Sequence, residues 1–79
     1  MNRNDILTKL EEIFRDVMDD DALSITEESD PTTILDWDSL GQINIVAACE
    51  SEFGVKFSIN DIAKIKNAGD IVDIVEGKL

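Results

Sequence analysis

The chain has 79 residues, with 18 Asp or Glu, 7 Lys or Arg and no His, giving a formal net charge of −11 at pH 7. This length predicts one domain, residues 1–79, too small for a large enzyme cleft, although 43% hydrophobic residues suffice for a modest core. Nucleic acids and anionic membranes carry the same sign of charge, so the composition argues against both and favours a protein partner with a basic surface.

The residue types that are absent exclude further classes of function. Without His the chain lacks the usual base of nucleophilic catalysis and the commonest metal ligand. The single cysteine, Cys49, cannot form an internal disulfide. The longest apolar run, Ile45–Cys49, predicts no membrane insertion, and the amphipathic start after Met1–Asp5 predicts a cytoplasmic protein.

The first predicted element is an amphipathic helix, because apolar residues recur at spacings of three, four and seven. These residues are Ile6, Leu7, Leu10, Ile13, Phe14, Val17 and Met18. We expect Asn4 as its N-cap, and Asp19–Asp21 to end it, because adjacent anions destabilise a helix C-terminus. A long loop follows over residues 22–37, with Leu23, Ile25, Ile34 and Leu35 as its apolar anchors.

A second helix is predicted from about Ser39 to Phe53, capped by Asp38 or Ser39 and ended by Gly54. Its apolar residues cover more than half of the helix circumference. We therefore expect either burial on two sides or an exposed apolar strip that a partner covers.

Two shorter elements complete the chain. Ser58–Asp61 resembles a capping box and opens a short helix through Ile65, and Asn67–Asp70 opens a last apolar helix. Val55–Phe57 has strand propensity but no pairing partner. The sequence therefore predicts an all-α fold, a small four-helix bundle with three main helices, one short helix and a long loop between helices 1 and 2.

The segment Asp36–Gly41 has Asp at positions one and three and Gly at position six, as in a calcium-binding EF-hand loop. Leu40 at position five and Ala47 at position twelve supply no ligand, so we predict no metal site. The hydroxyl of Ser39 at the loop–helix junction is well placed to hold a phosphate through its oxygen. With no base nearby it is a poor nucleophile, and it is either a modified residue or only a helix cap.

The segments Leu35–Leu40, Glu50–Val55 and Ile65–Val75 together resemble the acyl carrier protein family over essentially the whole chain. The resemblance implies that a phosphopantetheinyl transferase moves 4′-phosphopantetheine from coenzyme A onto Ser39. The thiol of that group would present acyl thioesters to partner enzymes with basic docking surfaces. The protein would be a monomeric carrier and a substrate of these enzymes, with no catalytic residues of its own.

Further roles follow from the same resemblance. Asp38 would engage the transferase, and a docking surface for partners would comprise Leu40, Gly41, Ile43, Ala47 and Glu50. Three other residues of this helix would face the core, namely Ile45, Cys49 and Phe53. Trp37 is either an anchor of the long loop or a recognition contact.

The chain also departs from the fatty-acid members of the family. Asp36 replaces a usual Gly, where Asp would tolerate a left-handed backbone, and Gly41, Asn44 and Ser51 replace usual acids. The carrier would serve fatty acid, polyketide or related specialised biosynthesis. These departures favour a specialised pathway over primary fatty-acid synthesis. The alternatives are an aminoacyl, peptidyl or D-alanyl carrier and, from another class, an acidic helical adaptor without a prosthetic group.

Overall fold

The computed structural model describes residues 1–79 and contains four helices and no strand. Their bounds are α1 Arg3–Val17, α2 Ser39–Phe53, α3 Ile59–Ala63 and α4 Ala68–Lys78. Helix α1 packs against both α2 and α4. The predicted all-α bundle of three main helices and one short helix is confirmed. None of the helices combines the length and the apolar character that crossing a membrane requires.

One hydrophobic core holds the helices together, and no polar or charged residue is buried in it. The apolar stripe of α1 contributes four of its members, as the helical spacing predicts. The largest fully buried side chains come from three of the four helices and are Phe14, Ile6, Leu10, Ile45, Ile71, Val72, Val75 and Cys49.

The helix ends follow the side chains that satisfy their free backbone groups. The predicted N-cap of α1 was wrong by two residues, because the side chain of Asn2, not Asn4, accepts a hydrogen bond from the Asp5 N–H at 2.8 Å. Helix α1 ends at Val17, before the aspartate run, as predicted. The first of those aspartates, Asp19, has a left-handed backbone with φ of 52°.

Both predicted capping boxes are present, one formed by Ser58 and Asp61 and the other by Asn67 and Asp70. Helix α3 nevertheless ends at Ala63, two residues earlier than predicted. The capping carboxylate Asp61 Oδ2 also pairs with Lys78 Nζ at 3.1 Å, which joins the start of α3 to the end of α4. The hydrogen bond from the backbone N–H of Ser58 and the contact with Lys78 together lower the pKa of Asp61.

The long loop between α1 and α2 is held against the helices by buried side chains. Of the predicted anchors, Ile25 and Ile34 are buried and Leu23 is half-buried against the core. Trp37, whose role the sequence left open, is buried as well. Leu35 was wrongly predicted as a further anchor, because its side chain is 99% exposed. The two neighbours Ile34 and Leu35 therefore point to opposite sides, one into the core and one into solvent.

Arg3 fastens this loop to the two terminal helices. Its guanidinium hydrogen bonds to Glu27 of the loop, through Nε and Oε1 at 3.0 Å, and pairs with Asp73 at 2.6 Å and Glu76 at 3.3 Å on α4. The hydrogen bond from Arg3 lowers the pKa of Glu27 below its ordinary value of 4.5. Beside it, the N–H of Gly69 donates to the Glu27 carbonyl at 2.8 Å, so charge and backbone contacts act at one junction.

Replacing Arg3 by Gln is expected to destabilise the fold in a pH-dependent way. The folded state lowers the pKa of Glu27, so the Arg3–Glu27 pair stabilises the fold fully above the ordinary pKa of 4.5. This stabilisation is lost as the pH falls through the lowered folded-state pKa of Glu27. Urea unfolding measures the free energy of unfolding of wild type and of Arg3→Gln. The difference between these two free energies should shrink as the pH is lowered from about 7 to about 3.

The matched control is Lys64→Gln, because Lys64 is exposed and belongs to none of the ion pairs. Its difference from wild type should change little with pH. If the free energy of unfolding of Arg3→Gln differed from that of wild type by the same amount at every pH in this range, the role assigned to the Arg3–Glu27 pair would be contradicted.

Candidate functional site

Ser39 is the first residue of α2, and its side chain is exposed. The capping role at this helix start belongs to its neighbour, because Asp38 Oδ1 accepts a hydrogen bond from the Gly41 N–H at 2.8 Å. Since Asp38 provides the cap, the hydroxyl of Ser39 is not used by the fold. The alternative in which Ser39 serves only as a cap therefore has no support in this geometry.

The backbone beside Ser39 offers hydrogen-bond donors to an anion. The N–H groups of Gly41 and Gln42 are bound by the side chain and the carbonyl of Asp38, both at 2.8 Å. Those of Ser39 and Leu40 donate to no acceptor in the protein and lie at the positive end of the helix dipole. A phosphodiester on the Ser39 oxygen would lie within this donor set, so the residues present fit 4′-phosphopantetheine.

An open groove of about 340 Å³, which we call the Ser39 groove, borders the serine. It is lined by Pro31, Trp37, Asp38, Ser39, Gln42 and Ile65. Four of these six residues are polar or proline, so the groove differs in character from the sealed apolar core. It provides room beside the hydroxyl for a flexible arm.

Trp37 forms the wall between this groove and the core. Its indole is only 4% exposed and meets the ring of Phe14 edge to face, with centroids 5.0 Å apart and planes at 79°. Its Nε1–H donates to Gln42 Oε1 at 2.6 Å. Of the two interpretations left open by the sequence, the structure shows an anchor.

Sequence reasoning missed Gln42, although a signal for it existed. A buried indole N–H requires an acceptor, and Gln42 lies in the first turn of α2, five residues after Trp37. The hydrogen bond ties the end of the loop to the helix that carries Ser39. The orientation of Ser39 is therefore set by contacts on both sides of it.

The predicted docking residues on α2 divide by exposure. Leu40 is 67% and Ile43 is 64% exposed, and Ala47 is exposed as well. Glu50 is half-buried, and its Oε2 accepts a hydrogen bond from the Phe57 N–H at 2.8 Å. The three exposed residues lie along one side of α2 and leave an apolar strip open to solvent.

Gly41 was wrongly placed on the docking surface, because it is buried. A Cβ atom on Gly41 would lie 2.5 Å from the carbonyl oxygen of Asp36. The close approach that this glycine permits is therefore that of the chain's own loop, not that of a partner. Asp36 does not have a left-handed backbone, so its tolerance of that conformation is not used.

Replacing Gly41 by Ala is expected to destabilise the protein by about 1–3 kcal/mol, because the Asp36 carbonyl must move to admit the methyl group. This cost opposes the gain in helix propensity, which is at most about 1 kcal/mol. Gly77→Ala in α4 is the matched control, since a Cβ there meets nothing within 4 Å. Thermal unfolding should show a lower Tm for Gly41→Ala and an equal or higher Tm for Gly77→Ala. A stabilised Gly41→Ala would contradict the steric role.

The core-facing residues of α2 are mostly as predicted. Ile45 and Cys49 are fully buried, whereas Phe53 is only half-buried and packs against the edge of the core. Burial raises the pKa of the Cys49 thiol to about 12, so it stays protonated and unreactive at neutral pH. The structure brings together no group of three acidic, Cys or His side chains able to hold a metal ion.

Comparison with known proteins assigns the class of this site. A family model described as a phosphopantetheine attachment site matches residues 8–75. An acyl carrier protein of Thermotoga maritima is 38% identical over 78 residues, covering 99% of this chain and 96% of the relative. An acyl carrier protein of Coprothermobacter proteolyticus is 35% identical over 79 residues, covering 100% and 96%.

Solved structures agree with the sequence comparison. The holo acyl carrier protein from Geobacter metallireducens superposes with a TM-score of 0.86 at 38% identity, covering 92% of this chain and 84% of that one. The crystal structure of the Thermotoga maritima protein gives a TM-score of 0.83 at 32% identity, covering 99% and 91%.

The bundle, with an exposed serine at the start of its second helix, is thus a phosphopantetheine-binding carrier domain. The chain belongs to the acyl carrier protein family. It is a carrier rather than an enzyme, and its prosthetic group is covalently bound 4′-phosphopantetheine. These relatives support the acyl-carrier interpretation and not the aminoacyl-carrier or adaptor alternatives.

Proposed function

We propose that Ser39 carries the prosthetic group. The observation that supports this assignment is the exposed hydroxyl of Ser39, left free by the Asp38 cap and adjacent to two unused N–H donors. The transferase would join the phosphorus of the phosphopantetheinyl group to Ser39 Oγ. The pyrophosphate linkage of coenzyme A would break, adenosine 3′,5′-bisphosphate would leave, and the hydroxyl proton would pass to a base of the transferase. When bound, 4′-phosphopantetheine supplies a thiol that holds acyl groups as thioesters.

The residues of the chain itself act by positioning. Asp38 fixes the first turn of α2, and the N–H groups of Ser39 and Leu40 would be available to hold a phosphate by hydrogen bonds. The hydrogen bond between Trp37 and Gln42 keeps the adjacent loop end in place. Acid–base chemistry would be left to the partner enzymes, which would approach the exposed Ser39 oxygen.

The proposed partners are a phosphopantetheinyl transferase and acyl-handling enzymes with basic docking surfaces. The apolar strip of Leu40, Ile43 and Ala47, with Glu50 at its end, would contact them. Asp38 would contribute to transferase recognition through Oδ2, since its other oxygen is used by the cap. We further propose that the carrier acts as a monomer in the cytoplasm.

A specialised pathway is the proposed setting. Both glutamates of α2 are engaged within the protein, since Glu52 pairs with Lys9 at 3.2 Å and Glu50 binds the Phe57 N–H. No unengaged acid therefore remains on α2 to steer a generic basic partner toward it. This pattern supports partners that are selected by contacts other than a row of glutamates on this helix.

The assignment is tested by incubating the purified apo chain with coenzyme A, magnesium and a broad-specificity phosphopantetheinyl transferase. Intact-mass spectrometry should show the gain of a single phosphopantetheinyl group. Peptide mapping should locate the group on the peptide that contains Ser39. An unchanged mass, or a label on another residue, would overturn the assignment.

A further inference from the structure

Two grooves lie on the side of Ser39 that faces the long loop. One, of about 200 Å³, is lined by Val17, Met18, Asp36, Asp38, Leu40, Gly41 and Asn44. The other, of about 270 Å³, is lined by Met18, Asp20, Leu23, Thr33, Ile34, Leu35 and Asp36. Because Met18 and Asp36 line both grooves, they form one surface, which we call the loop-side surface. Asp38 lines the first of them and the Ser39 groove, so this surface begins beside the serine.

The loop-side surface combines exposed apolar side chains with carboxylates. Leu35 is 99% and Leu40 is 67% exposed, and Met18 lies in the wall that the two grooves share. Asp20 and Asp36 take part in none of the ion pairs of the protein. Neither groove is lined by a basic residue.

Lysines flank the wall of the Ser39 groove that is formed by the connection between α3 and α4. Ile65, the wall of the Ser39 groove contributed by the α3–α4 connection, lies between two exposed lysines, Lys64 and Lys66. Neither lysine belongs to an ion pair. The unpaired carboxylates of the loop side therefore favour a basic partner more than the α3 side does, where unpaired lysines adjoin Ile65.

We infer that the phosphopantetheinyl transferase docks over the loop-side surface, in addition to the apolar strip of α2. The complementary patch on the transferase presents a cationic side chain to Asp36 and Asp20, and an apolar side chain between Leu35 and Leu40. Charge complementarity selects this side, and the two exposed leucines supply the apolar contact. The inference rests on Ser39 being the attachment site.

This docking mode uses a feature that the fold maintains by close packing. Gly41 admits the Asp36 carbonyl against α2, at a distance that no Cβ would allow. The Asp36 side chain is thereby held in the wall that both grooves share, next to the start of the helix. Its lack of any intramolecular hydrogen bond or ion pair leaves that carboxylate available to a partner.

The test is the steady-state kinetics of a broad-specificity phosphopantetheinyl transferase acting on apo protein at saturating coenzyme A. The double variant Leu35→Ala/Asp36→Asn removes one apolar and one charged contact from an exposed segment. We expect kcat/KM to fall about tenfold or more, with the loss appearing as a raised KM for the carrier. Raising the ionic strength should slow the wild type more than the variant.

The matched control is Glu28→Gln/Ile59→Ala, which removes an exposed acid and an 86% exposed isoleucine outside both grooves. Its kcat/KM should stay within about twofold of wild type, and circular dichroism should show all three proteins equally folded. If Ser39 of the wild type is labelled but the kcat/KM of the Leu35→Ala/Asp36→Asn variant stays within about twofold of wild type, the docking mode is overturned and the attachment site stands. A wild type that is never labelled would overturn both the attachment site and this docking mode.

Discussion

Replacing Ser39 by Ala is expected to abolish phosphopantetheine loading completely while leaving the fold intact. The hydroxyl of Ser39 is the oxygen to which the group would be bonded, and Ala offers no substitute. The fold does not use this hydroxyl, because Asp38 caps the helix. The free energy of unfolding should therefore change by less than about 0.5 kcal/mol, as for other surface substitutions.

The measurement is intact-mass spectrometry after exhaustive treatment with transferase and coenzyme A, accompanied by circular dichroism and a thermal melt. Ser51→Ala is the matched control, since Ser51 is an exposed serine in the same helix. That variant should load to completion. Loading of Ser39→Ala, or loss of loading in Ser51→Ala, would show that the attachment site lies elsewhere.

Removing the ring of Phe14 is expected to have the largest effect on stability. Phe14 is fully buried in α1, and its ring meets Trp37 edge to face at 5.0 Å. Truncation to Ala leaves a cavity and also removes the aromatic pair, at a cost of about 3–5 kcal/mol. Small domains are stabilised by only about 5–15 kcal/mol in total, so a large part of the stability of this chain would be lost.

Urea unfolding followed by circular dichroism measures this cost directly, and the fluorescence of Trp37, the single tryptophan, reports on the site. Phe14→Leu should cost much less, because most of the volume is kept. Ile59→Ala is the control at an exposed position and should change stability by less than about 0.5 kcal/mol. A cost below about 1 kcal/mol for Phe14→Ala would mean that the ring does not hold the loop against the core.

Together these two substitutions distinguish the residue that bonds the prosthetic group from a core residue that holds the site in place. Ser39 supplies an oxygen on which the fold does not depend, whereas Phe14 supports that oxygen from the core side through Trp37 and Gln42. A destabilised Phe14→Ala protein should still be labelled to the extent that it remains folded. Ser39→Ala should not be labelled at all.

Much of the fold was predictable because its signals are local. The spacing of apolar residues in α1 and the two capping boxes depend on residues only three or four positions apart. The errors in the helix bounds were small and also local, as where Asn2 replaced Asn4 as a cap. The serine at the start of α2 could be singled out in the same way, from a helix start and from resemblance to the acyl carrier protein family.

The residues that surround the serine were harder to predict, because their contacts join distant segments. Gly41 was predicted to face a partner, yet it is buried against Asp36. Leu35 was predicted to be an anchor, yet it is almost fully exposed. Nothing in the local pattern distinguishes Ile34 from Leu35, because the choice of which one enters the core depends on how the loop crosses α1 and α2.

The excess of 18 acidic over 7 basic residues, the helical periodicity and the serine motif were determined by the sequence alone. The charge argues against a nucleic-acid partner, and the carrier role came from the resemblance to the acyl carrier protein family. Only the tertiary structure decided which acids are free, because pairing with Lys9 or with the Phe57 N–H requires residues that meet across the fold. It placed the unpaired Asp20 and Asp36 beside Leu35 in a groove on the loop side, whereas Ile65 of the Ser39 groove lies in the chain between the unpaired Lys64 and Lys66. The direction from which we propose that a basic partner approaches rests on this distribution of charge, which no count of charges along the chain contains.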